Sequence, residues 1–169
     1  LFQSLEKELG PLPFLIEDLG VLSDKVIDLR EETGFVGMNP IQFAFGEDNS
    51  AYLPHNLEFR SSIYTSTHDS DTLMGWWKDL DLVTREYATQ YFGLNEKEGI
   101  LWGIVRGVAS SVADICIVQM QDILGLDNES RMNVPGLLGG NWKWRMGYEY
   151  FDRQLMMKLR DIATLYGRN

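Results

Sequence analysis

The chain has 169 residues, with 15 Lys plus Arg against 25 Asp plus Glu, and a formal net charge of −10 at pH 7. That balance disfavours a nucleic-acid binder, because neutralising phosphates requires clustered Lys and Arg. Apolar residues make up 44% and charged residues 24%, ordinary globular usage that excludes disorder or low complexity and predicts a packed core.

Cys116 is the single cysteine, so no disulfide framework is available, and its setting in Asp114-Ile-Cys-Ile-Val118 reads as core. No apolar run approaches the roughly 18 to 20 residues of a membrane span, so no membrane partner is expected. A reducing compartment fits best. Leu1–Gly10 carries no signal-peptide pattern and reads as the end of an amphipathic helix joined in mid-course, as a fragment would begin.

After the turn Gly10-Pro-Leu-Pro13, the short apolar run Phe14-Leu-Ile16 predicts a buried strand, stopped by Glu17-Asp-Leu-Gly20. Ser23 then precedes a helix over Asp24–Glu32, closed by Thr33-Gly34. A second strand is expected at Pro40-Ile-Gln-Phe-Ala-Phe45. A loop with Gly46, Asn49 and Pro54 follows, then a third strand at Ser62–Thr67. Helical spacing runs over Asp71–Leu80, Leu82–Phe92 and Lys97–Ser111, before a fourth strand at Ile115-Cys-Ile-Val118. Leu155, Met156, Leu159, Ile162 and Ala163 place a terminal amphipathic helix within Tyr148–Tyr166.

Strands alternating with helices indicate βαβ units and a parallel sheet. An eight-fold α/β barrel typically needs about 250 residues. Four β/α units with long insertions are therefore expected to form half of such a barrel, residues 1–169 making one unit without an internal boundary. Chemistry in a barrel sits where strands end and βα loops begin. Glu17 stands directly after the first strand, where apolar neighbours would desolvate it; the alternative is that Glu17-Asp18 simply caps or turns the chain. The third strand ends in His68-Asp69.

Two carboxylates at two strand ends suit glycosidic-bond chemistry, which needs one group to move a proton and another to meet an oxocarbenium-like centre. Loop aromatics such as Phe45, Tyr52 and Trp142 are candidate sugar platforms. A metal site at His68-Asp69-Ser70-Asp71 is disfavoured, because His55 and His68 are the only histidines and no cysteine cluster supports them.

Seven ordered blocks carry a resemblance: Ile16-Glu-Asp-Leu-Gly20, Pro40–Phe45, Tyr52-Leu-Pro-His-Asn56, Tyr64–Thr72 with Gly75-Trp-Trp77, Met120-Gln-Asp-Ile-Leu-Gly125, Arg131-Met-Asn-Val-Pro-Gly136 and Gly140-Asn-Trp-Lys-Trp-Arg145. From about Leu12 onward they resemble the C-terminal part of glycoside hydrolase family 77, the 4-alpha-glucanotransferases or amylomaltases. The resemblance implies the C-terminal half of a (β/α)8 barrel that transfers alpha-1,4-glucan segments by a retaining double displacement, without cofactor or metal. Its partners would be maltodextrin, amylose, glycogen or starch fragments. By the same resemblance Glu17 is the general acid/base, Asp69 the transition-state-stabilising carboxylate, His68 a hydroxyl-binding partner, and Phe43 and Asn141 part of the sugar subsites. The sequence departs from the family's wording at Asn39-Pro40, where Lys-Val is usual, and at Ser70, where Asn is frequent.

The family's nucleophilic aspartate lies in an Arg-x-Asp-His block on an earlier strand, and no such block occurs in this sequence. A covalent glycosyl-enzyme cannot form without a nucleophile. Two classes of function follow: a transglycosylase whose N-terminal half-barrel is supplied from outside this sequence, or a non-catalytic half-barrel that binds glucan or self-associates. The second follows because half a barrel leaves open sheet edges.

Overall fold

The computed structural model describes residues 1–20 and 23–168; Val21, Leu22 and Asn169, inside the span read as one unit, lie outside the described residues. Four strands, β1 (Leu15–Ile16), β2 (Val36–Pro40), β3 (Ser61–Tyr64) and β4 (Ile115–Ile117), form a parallel sheet in chain order. α1 (Phe2–Leu9) precedes β1, and α2 (Asp24–Thr33) links β1 to β2. α3 (Leu73–Asp79), α4 (Leu82–Phe92) and α5 (Ile100–Ala109) lie between β3 and β4, and α6 (Met120–Ile123) and α7 (Arg153–Leu165) follow. The β2–β3 connection holds only two short 3-10 turns among the described residues.

The register Leu15↔Val36, Met38↔Ser62 and Ser62↔Ile115 sets these residues on one sheet face, since side chains alternate along a strand. The opposite face carries Ile63 and Cys116, which pack with Ile41, Leu53, Leu73, Ile104 and Val108 in the core beneath the helices. Cys116 is half-buried there, and burial pushes its thiol pKa up. The first face is more open: Leu15 is 44% and Ile115 36% exposed.

Four parallel strands and the helix Leu82–Phe92 match the expectation. The second strand does not. It occupies Val36–Pro40, and the chain turns at Ile41–Phe43. The misleading signal is the apolar run itself, because Ile41, Ala44 and Phe45 are buried in the core layer outside the sheet. Pro40 is the strand's last residue, and with no N–H to donate it marks the end of the ladder. The third strand likewise stops at Tyr64, since Thr65 and Ser66 turn their hydroxyls to a buried carboxylate.

Helix ends are set by local caps. Thr72 accepts the Gly75 amide proton, so α3 starts at Leu73, and Asp152 accepts from Gln154, so α7 starts at Arg153. Asn95 takes the Glu98 amide, keeping 96–98 in a turn ahead of α5.

Candidate functional site

All four strands end on one edge of the sheet, the edge at which parallel α/β folds collect ligands. Glu17 leaves β1 there and is exposed. The apolar enclosure expected for it is not formed by the described residues, because Leu15, on the same side of the strand, is itself open. Its neighbour is the buried member of the pair. Asp18 is 7% exposed, and its Oδ2 accepts from Arg30 Nη1 of α2 at 2.7 Å while Oδ1 accepts the Met38 amide of β2 at 2.8 Å. Gly37 makes room for it: an added Cβ would stand 2.5 Å from Asp18 Oδ2. Asp18 thus locks β1 to β2 and α2, and strand alternation sends Glu17 the other way.

One strand separates β1 from β3, so their backbones run about 10 Å apart at the usual inter-strand spacing. The loop after β3 carries His68 and Asp69 and is pinned at several points. At its start Thr65 Oγ1 and Ser66 Oγ donate to Asp122 Oδ2 at 2.6 and 2.5 Å; at its end Asp122 Oδ1 accepts the Leu73 amide at 2.7 Å. Asp122 is 1% exposed, and burial pushes its carboxyl pKa up against the lowering effect of those three donors. Asn128 Oδ1 accepts the Thr72 amide at 3.1 Å, and Gln42 Nε2 donates to the Asp71 carbonyl at 2.8 Å.

At the loop's tip His68 Nε2 stands 3.3 Å from Asp69 Oδ1, and Asn133 Nδ2 donates to the same oxygen at 2.6 Å. Arg131 donates from Nη2 to the Asp69 carbonyl at 2.7 Å and from Nε to the Asn133 carbonyl at 2.8 Å, and pairs with Asp71. The His68 ring lies over Trp142 with centroids 5.3 Å apart. Trp142 is 60% exposed and holds a positive φ of 60°, fixed by its amide donating to the Met132 carbonyl at 2.6 Å.

The other candidates separate. Phe43 is 46% exposed and meets Tyr52 edge-on at 5.6 Å. Burial, and then the negative charge of Asp18, hold the Tyr52 hydroxyl above the ordinary tyrosine range. Phe45 is a core residue at 4% exposure, not a platform, because Tyr87, Tyr91 and Phe92 enclose it. Asn141 spends its amide inside its own loop: Oδ1 accepts from Val134 at 3.0 Å and Nδ2 donates to Leu137 at 3.1 Å. Reading motifs alone missed Asp18, Asp122, Arg131 and Asn133. The available signal is slight: Asp122 stands directly before the apolar pair Ile123-Leu124.

A family model described as 4-alpha-glucanotransferase matches residues 1–149. The 4-alpha-glucanotransferase of Clostridium butyricum is 44% identical over 170 residues, covering 99% of this chain and 35% of that protein. The Solanum tuberosum protein, named 4-alpha-glucanotransferase, chloroplastic/amyloplastic, is 42% identical over 173 residues, covering 99% and 30%. The solved structure of amylomaltase from Streptococcus agalactiae in complex with acarbose aligns with a TM-score of 0.93 at 34% identity, covering 98% of this chain and 34% of that one. The chain spans about a third of the length of these relatives.

Proposed function

Since the chain belongs to the 4-alpha-glucanotransferase family, we propose that it supplies two of the carboxylates with which a complete barrel moves alpha-1,4-glucan segments between maltodextrins. The observation that carries this reading is the placement of Glu17 and a firmly held Asp69 at the same edge of one parallel sheet. Four further β/α units, an N-terminal half-barrel, would face the open side of the sheet and bring the nucleophilic carboxylate.

In this reading Glu17 gives its proton to the glycosidic oxygen as that bond to the anomeric carbon breaks. The nucleophile outside these 169 residues takes the glycosyl group. Glu17, now ionised, then removes the proton from the acceptor's hydroxyl as the acceptor oxygen attacks the anomeric carbon and the nucleophile departs. Inversion at each step retains the configuration. Asp69 stabilises the positive charge that develops at the sugar ring, where fixed electrostatics act most strongly. His68 and Trp142 form one wall for the sugar, and Phe43 adds an apolar face. Asn141 contributes indirectly, by shaping the 134–141 loop.

Alpha-1,4-glucans are the expected donors and acceptors, and acarbose is the molecule bound in the Streptococcus agalactiae relative. No helix of the described residues is long and apolar enough to cross a membrane; the reading places the protein in a bacterial cytoplasm or a plant plastid. A glycosyl fluoride donor tests the acid role, because fluoride leaves without protonation. In the complete transferase Glu17→Gln is expected to abolish maltodextrin turnover while sparing the first, glycosylation step from the fluoride. Equal loss of both rates contradicts the assignment.

A further inference from the structure

We propose that Asn133 is a positioning residue that presents one chosen oxygen of Asp69 to the substrate, and that Arg131 holds Asn133 in place to do so. This rests on the reading of Asp69 given above. Asn133 Nδ2 and His68 Nε2 both address Asp69 Oδ1, at 2.6 and 3.3 Å. No side chain or amide of the described residues donates to Oδ2. The carboxylate is therefore anchored through one oxygen and presents the other.

Asn133 is itself fixed at two points. Its amide donates to the His68 carbonyl at 3.0 Å, tying the two loops together one residue before Asp69. Its own carbonyl accepts from Arg131 Nε at 2.8 Å. The same guanidinium reaches the Asp69 carbonyl at 2.7 Å and pairs with Asp71, so one planar fork spans both loops. Only arginine has donors at those three angles; lysine would reach one acceptor at a time.

An amide serves at position 133 where a carboxylate would not. It donates to an ionised partner without adding charge, and a hydrogen bond to a charged group is worth about 1.5–3 kcal/mol, roughly 10- to 150-fold in rate if it holds the reactive geometry. The charged or titratable groups around Asp69 are His68 beside it, Asp71 two residues on, and Arg131 from the facing loop. An aspartate at 133 would add a second carboxylate within hydrogen-bond reach of the first. Two such groups share one proton when the solution supplies it.

The experiment compares Asn133→Leu, Asn133→Asp and Asp69→Asn in the complete transferase, following glucose release from maltotriose. Asn133→Leu is expected to lower kcat roughly 10- to 150-fold with KM within about twofold of the parent. Asn133→Asp is expected to be weaker still at neutral pH and to recover relative to the parent as the pH falls, because the shared proton restores a donor to Asp69. A role confined to folding would show no acid rescue. Parent-like kcat in Asn133→Leu, or a parent-like pH profile in Asn133→Asp, with Asp69→Asn inactive, overturns the inference and leaves the role of Asp69 standing. Full activity in Asp69→Asn removes the underlying reading instead.

Discussion

The carboxylate of Asp18 is shared between Arg30, at 2.7 Å, and the backbone amide of Met38, at 2.8 Å, and its side chain is only 3% exposed. Three elements meet at that group, and Glu17 is its immediate neighbour. Glu17 is open to solvent, so its direction is set by the residue after it and not by a pocket of its own.

Asp18→Ala is therefore expected to act on both stability and turnover. It strips a partner from Arg30, which is one-third exposed, and from a strand amide; the cost is about 1–3 kcal/mol after allowance for solvent around the guanidinium. The denaturation midpoint of the complete transferase should fall, and kcat should drop by more than KM rises, because Glu17 loses its fixed direction. A variant with the parent's kcat despite the lowered midpoint would separate Asp18 from the site. Gly37→Ala should reproduce the defect, since its methyl would press on the same carboxylate.

Asp122 carries a pH signature of opposite sign to the usual acidic residue. Burial raises its folded pKa above the ordinary carboxylate value, so the folded state binds a proton more readily than the unfolded chain. The stability it contributes is present in full below the unfolded pKa and declines as the pH rises from about 4 through the raised value. Asp122→Asn removes that titration. The parent's advantage over Asp122→Asn in urea midpoint is predicted to be larger at pH 4.5 than at pH 7.5; a gap that widens with pH contradicts it.

The exposed sheet face predicts how the 169-residue chain behaves by itself. Leu15 and Ile115 lie open on the face opposite the core, and among the described residues β1 and β4 have no further strand beside them, the kind of sheet edge that pairs with another chain. The net charge of −10 slows association without supplying those hydrogen bonds. Sedimentation at micromolar concentration should show self-association or aggregation. A cooperative, well-folded monomer that binds no apolar dye would contradict the half-barrel reading.

Much of the architecture was legible because it is local. Asp81 starts a helix by accepting the Thr84 amide, and Gly34 and Gly93 end helices in left-handed backbones, so those limits are readable in the residues themselves. The second strand was misplaced because apolarity marks burial without naming the layer: Ile41 and Phe45 are as buried as a central strand, yet lie in a turn. At the site, Glu17, His68 and Asp69 announced themselves by standing at strand ends. Arg131 and Asn133 did not, since their partners are about sixty residues away and no periodicity links them. Ile16, the apolar neighbour of Glu17, points to the opposite sheet face because side chains alternate along a strand, so the run gives Glu17 no closed wall.

Disproportionation of maltotriose, followed as glucose release, tests most directly whether these four units supply part of a shared catalytic centre. The 169-residue chain alone is predicted to release no glucose, while the same chain joined to the N-terminal half-barrel turns over and loses that activity on Glu17→Gln. Turnover by the chain alone that Glu17→Gln abolishes would show that the nucleophile lies within these residues, and would contradict the account.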